Sequence, residues 1–217
     1  AVIPVVPVVM LVALMVAGVP VPLLAWLPVP IMCLFLGWTA HNDVAHDSTA
    51  FWIHVSSSVS GRADRWGRLA PALMIGVPLV LVGSVATSVV FGNFEALPAF
   101  IGLSACVLLF GLGVSSVISA AFPYPAVHPG ASPFAQPQAA GATGSVVQSL
   151  SFSVTLLSAT PVAIFAFLGE TESAAWHFAA LAAGLLIGLG ALVGGVYWGG
   201  RIVYKRAPEL LEFARRN

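Results

Sequence analysis

Apolar residues along this chain gather into runs too long for a soluble core. Charge-free stretches of about 20 residues, each long enough to cross a hydrocarbon core as a helix, recur six times. The first two cover positions 1–19 and 23–40, parted only by a turn at Pro20 and Pro22, and the others cover 69–90, 99–121, 146–168 and 174–198. Polar positions collect between them in a long connection (41–68), a proline-rich one (122–145), two short ones (91–98 and 169–173) and a tail (201–217). The pattern predicts an all-α, polytopic membrane helix bundle: a single transmembrane domain over 1–200 with six spans, an amphipathic segment between spans two and three, and a basic tail.

Composition agrees. Apolar residues make up 59% of the chain and charged ones only 7%, with a mean hydropathy of +1.00, against about 25% charged in a soluble domain. Net charge is zero, so nothing suggests a nucleic-acid partner, which would demand a basic face. The eight Lys and Arg residues fall in two groups, Arg62, Arg65 and Arg68, and Arg201, Lys205, Arg206, Arg215 and Arg216. Because Lys and Arg are retained on the cytoplasmic side, these groups orient the spans. With six spans both groups and both chain ends fall inside, and Glu95, Glu170 and Glu172 fall outside; five or seven spans would put one basic group outside. The expected location is the inner (plasma) membrane. Trp26, Trp38, Trp66, Trp176, Tyr197 and Trp198 lie near span ends, where amphipathic rings favour headgroups. Cys33 and Cys106 sit in apolar runs without CxxC spacing and read as buried apolar residues. The first residue is Ala and no basic n-region precedes the first span, so a fragment of a longer membrane protein is expected rather than a cleaved signal peptide.

Candidate chemistry concentrates in the 41–68 connection. From Asp47 or Ser48, either a possible N-cap, Phe51, Trp52, Val55 and Val59 recur at helical spacing, predicting an amphipathic helix that ends near Gly61. Asp64 and Arg68 are spaced to pair, while Arg62 and Arg65 are expected to face headgroups or a partner protein. The segment reads as a headgroup-anchored linker or as a docking element. Its first part places His41, Asp43, His46 and Asp47 within seven residues, and imidazole with carboxylate suits zinc or iron. The five-residue step between the histidines is wrong for one helical face, however, and hydrogen bonding where the chain leaves the bilayer is the favoured role.

The 122–145 connection holds five prolines and no formal charge. Phe122, Tyr124 and Phe134 spaced among those prolines suggest a packed extended segment. In the fifth run Gln148, Ser151, Thr155 and Ser158 share a helical face, either for packing or for lining a pathway. Gly184 and Gly188, Gly190 and Gly194, and Gly195 and Gly199 form three small-xxx-small pairs that permit close helix approach. No phosphate-binding loop, HExxH or GxSxG motif occurs, so this chain neither binds a cofactor by those devices nor hydrolyses ATP through a P-loop.

The stretches HNDVAHDSTAFWIHVSSSVSGRADRWGR, GLGVSSVISAAFPYPAVHPGASPF and PELLEFARRN, within six spans, resemble the C-terminal half of an actinobacterial type-2 ABC exporter permease. The resemblance implies a non-enzymatic transporter subunit that pairs with a second permease half or protomer, ATP being used by a separate P-loop subunit. It also implies that Asp47 to Arg68 contains the coupling helix, with Asp47, Phe51, Trp52, Val55, Arg62, Arg65 and Arg68 as docking candidates. Gln148, Ser151, Thr155 and Ser158 become candidates for the pathway. A membrane enzyme with metal at His41, Asp43, His46 and Asp47, and a non-transporting structural subunit, are the alternatives.

Overall fold

A computed structural model describes residues 5–47, 50–57, 59–126 and 142–216, and among them every regular element is helical. In chain order these are α1 (Val5–Val16), α2 (Val21–Leu24), α3 (Pro28–Trp38), α4 (Asp43–Asp47), α5 (Phe51–Ser56), α6 (Gly61–Phe91), α7 (Leu97–Ala121), α8 (Ala142–Ser158), α9 (Thr160–Thr171) and α10 (Ala175–Arg216). Proline, lacking an N–H, is tolerated in a helix's first turn. It stands at the first or second position of α2, α3, α7 and α9, which is why the apolar runs divide at 25–27 and at Ala159. Helix α6 ends at Gly92, whose φ of 68° places it in the left-handed region that glycine enters without strain.

Five of the apolar stretches are long enough to cross a membrane: Val21–Trp38, Gly61–Phe91, Leu97–Ala121, Gly144–Thr171 and Ala175–Ala214. They fit a multi-pass membrane protein. The first predicted run supplies α1, whose 12 described residues rise about 18 Å, short of the roughly 30 Å hydrocarbon core.

Two helices run well past their apolar cores. α6 begins at Gly61, eight residues before the predicted span, because the Ser60 hydroxyl accepts from the Ala63 N–H and caps it. Gly61 therefore starts a helix instead of ending one, and α5 stops at Ser56. α10 carries the basic tail as a continuation of its span, kinked at Arg206 two residues before Pro208. At 42 residues it is about 60 Å long.

Helix α7 is the central post, packed along α10 and also against α3, α6, α8 and α9. The α7–α10 seam consists of backbone. A Cβ placed on Gly184 would lie 2.1 Å from the Gly102 oxygen, one on Gly195 2.2 Å from the Gly113 oxygen, and one on Gly199 2.5 Å from the Ser116 oxygen. Gly188 sits against Ala105 and Cys106 on the same stripe. Gly190 and Gly194 face away, with nothing within 4 Å, so that expected pair makes no seam: positions three or four apart continue the stripe through Ala191 and Leu192 instead. Hydroxyls tie α7 on two sides: Ser115 Oγ donates to the Gly37 carbonyl of α3 (2.9 Å), and Ser116 Oγ, on the seam itself, to that of Gly195 (3.2 Å).

The end of α3, the start of α6 and the ends of α7 and α10 meet at one pole: Gly61 touches Gly200, and Arg206 Nη1 donates to the Ala121 carbonyl at 2.6 Å. The opposite pole holds Asn93 bonded to Glu170 (3.0 Å) and Trp26 stacked near His177. Arg62, Arg65, Arg68, Arg201, Lys205 and Arg206 thus lie at the first pole, and Glu95, Glu170 and Glu172 belong to the second. Four of the long apolar stretches separate the two basic groups, so, against the expectation that five spans would divide them, their common pole does not depend on how many spans precede residue 41.

Candidate functional site

The first pole carries a cluster of opposite charges, buried within the protein where an unpaired charge would be costly. Arg65 is 1% exposed, and the Asp64 side chain 3%. Arg65 Nη2 donates to Asp64 Oδ2 at 2.5 Å, and its Nη1 reaches Asp43 Oδ1 at 3.2 Å. Arg68 Nε bonds Asp64 Oδ1 at 3.0 Å, the expected i,i+4 pair, while its Nη2 takes Asp47. His54 Nδ1 lies 3.0 Å from Asp64 Oδ1. Asp43 also accepts from Ser119 Oγ, and that oxygen accepts from the Val44 N–H at 3.2 Å. The cluster thereby fastens α4 and α5 to the first turns of α6 and the last turn of α7.

This overturns the expectation that Arg65 faces headgroups or a partner. Its position one turn into α6, opposite Asp43, turns it inward, and only Arg62 of the three remains exposed. Asp47 closes α4 with its carboxylate on Arg68 and does not cap α5, whose N-terminal residue Ala50 supplies no side-chain cap; Ser48 lies outside the described residues. Phe51 is fully buried against Val44, Ala120, Val203 and Leu210, whereas Trp52, Val55 and Val59 are exposed. The expected single apolar face is therefore divided between core and surface.

The four proposed metal ligands are not gathered. Asp43 and Asp47 face arginines, His46 is exposed, and among the described residues no three His, Cys, Asp or Glu side chains group to hold an ion. His41 instead enters a neutral hydrogen-bonded chain. Its Nδ1–H donates to the Trp38 carbonyl (2.6 Å), its Nε2 accepts from the Tyr124 hydroxyl, and Gln148 bonds that hydroxyl from α8. Asn42 locks the Tyr124 backbone from both sides, at 2.9 and 3.2 Å. Tyr124, expected to pack, does so, whereas Phe122, expected to pack with it, is exposed; Phe134 and His128 lie outside the described residues.

Burial pushes the His41 imidazole below its ordinary pKa, against smaller opposing effects of the Trp38 carbonyl and Asp43, and burial raises the Tyr124 phenol to about 12. A depressed imidazole binds fewer protons folded than unfolded. Its contribution is therefore complete above the unfolded value of about 6.5 and is lost as pH falls through the folded one. Melting of the detergent-solubilised protein should drop on mild acidification, and His41→Gln should reduce that drop; an unchanged acid slope would remove His41 from the explanation.

Gln148, Ser151, Thr155 and Ser158 do share a face. Ser151 and Thr155 are 4% exposed and pack beside Leu34, Trp38 and Gly111. The three hydroxyls bond carbonyls of their own helix at 2.7 to 2.9 Å, so the face is packed and internally satisfied. Sequence reasoning passed over Ser115, Ser116 and Ser119, although their spacing in GLGVSSVIS, one step and then three, spreads them to different neighbours.

A cavity of about 710 Å³ opens beside the charge cluster, between the α5–α6 junction and α10, lined among others by Val55, Val59, Arg62, Arg201, Val203, Tyr204 and Lys205. Comparison with family models, curated proteins and solved structures yields no match to this chain.

Proposed function

We propose that this chain is the transmembrane permease subunit of an ATP-driven exporter, in the inner membrane with both basic groups cytoplasmic and six spans in the complete bundle. A separate P-loop subunit supplies ATP hydrolysis, and a second permease half or protomer completes the pathway. One observation carries this reading. The connection between α3 and α6 is fastened to α6 by the ion pairs of Asp43 and Asp47 with Arg65 and Arg68, to α7 through the Ser119 hydroxyl and to α10 by Phe51 packed with Val203 and Leu210, while it presents Trp52, Ile53 and Val55, respectively 54%, 51% and 39% exposed. A segment so held transmits a push from a soluble partner to α6, α7 and α10 instead of absorbing it.

In that mechanism closure of the ATP-binding subunits moves α4 and α5, and the cluster passes the displacement to the spans. The face bearing Gln148, Ser151, Thr155 and Ser158 could reach the pathway only after α8 shifts from α3 and α7. The test is purification from native membranes. A protein bearing the GxxxxGK[ST] loop should accompany the wild-type chain, and Trp52→Glu with Val55→Glu should reduce that association at least tenfold without changing the chain's melting temperature. If no P-loop protein accompanies the wild type, the exporter reading fails.

A further inference from the structure

The cations at the basic pole divide into two sets. Arg65 and Arg68 pair with aspartates and Arg206 with Glu209, but Arg62, Arg201 and Lys205 have no carboxylate within 4 Å among the described residues. All three line the same cavity. Backbone contact forces two of them together: Gly61 and Gly200 touch so closely that a Cβ on the first would lie 2.1 Å from the second's oxygen. The residues that follow, Arg62 and Arg201, then bring their guanidinium carbons each 6.0 Å from the centre of the Tyr197 ring. Two cations that share one ring and have no carboxylate keep part of their charge uncompensated. An anion in the cavity would compensate it.

The location specifies which anion. Arg201 directly follows the apolar stretch of α10, and exposed Trp198, Tyr197 and Trp66 mark the headgroup level around it. The cavity is also lined by the exposed Val55 and Val59 and by His54, Ser60 and Asp64, whose carboxylate is already taken up by Arg65 and Arg68. We infer that this groove binds an anionic phospholipid, its headgroup phosphate held by Arg62, Arg201 and Lys205 at the level marked by Trp66 and Trp198. The inference is independent of what the bundle transports.

The experiment uses the full chain in neutral detergent, titrated with short-chain phosphatidylglycerol, short-chain phosphatidylcholine or inorganic phosphate, with binding read from melting temperature and native mass spectrometry. Phosphatidylglycerol should bind and stabilise, and the other two should not. Arg201→Gln with Lys205→Gln should weaken binding about thirtyfold, at about fivefold per cation near an anionic surface. The charge-preserving Arg201→Lys with Lys205→Arg should retain most of it, which separates lost charge from lost folding. Equal binding of phosphatidylcholine, an equal effect of inorganic phosphate, or undiminished binding by the Gln variant would overturn the assignment. So would a Gln variant that keeps the lipid and loses a protein partner, which would make the groove a protein interface.

Discussion

Arg65→Met is expected to destabilise the protein by about 3–5 kcal/mol, the usual cost of removing one partner from a buried ion pair. The loss comes from what remains: Asp64, buried to 3% exposure, would keep Arg68 but lose the guanidinium that approaches it most closely, and Asp43 would lose one of its two cations. Adding Asp64→Asn should recover a substantial part, since one charge of each sign is then gone. Trp fluorescence melting in detergent reads both variants. A neutral Arg65→Met would mean that water reaches the cluster and that α4 is held by other means.

The second large effect is expected at the α7–α10 seam. Gly113→Ala places a methyl 2.2 Å from the Ala191 carbonyl oxygen, and Gly195→Ala one 2.2 Å from that of Gly113. Neither neighbour is a side chain that can rotate away, so the helices must separate, at about 3 kcal/mol or more. Gly190→Ala and Gly194→Ala on the same helix meet nothing and should be neutral or stabilising by up to about 1 kcal/mol through helix propensity. Melting temperature and the fraction of monodisperse protein would compare the four. Equal losses at all four positions would mean that α10 is sensitive to glycine replacement for reasons other than the seam.

The helical spans were legible because hydropathy is a one-dimensional property. The run at 99–121 matches α7 to within two residues, and the fifth run differs mainly by the division before Pro161. What escaped depends on partners distant in sequence. Arg65 looks like any interfacial arginine until Asp43, 22 positions earlier, is brought opposite it. The glycine pairs were visible as small residues, yet a spacing of four cannot say which face meets a neighbour, and so Gly190 and Gly194 were grouped with the rest. His41 was legible as polar chemistry at a span end, but its partner Tyr124 follows α7, 83 residues away.

The glycine seam also has a mechanical consequence. Where α6 meets α7, Leu108 fills the space above Gly76 and touches Leu36's neighbourhood, so shifting those helices requires side chains to leave their holes. Between α7 and α10 there is little to disengage: backbone lies on backbone at Gly102, Gly113 and Gly184, with Ser116 to Gly195 as a hydrogen-bonded latch. Such a surface opposes separation yet offers few interlocking teeth against small axial displacement, the shear mode of packed helices. The longest helix of the bundle is thereby mounted on a smooth rail.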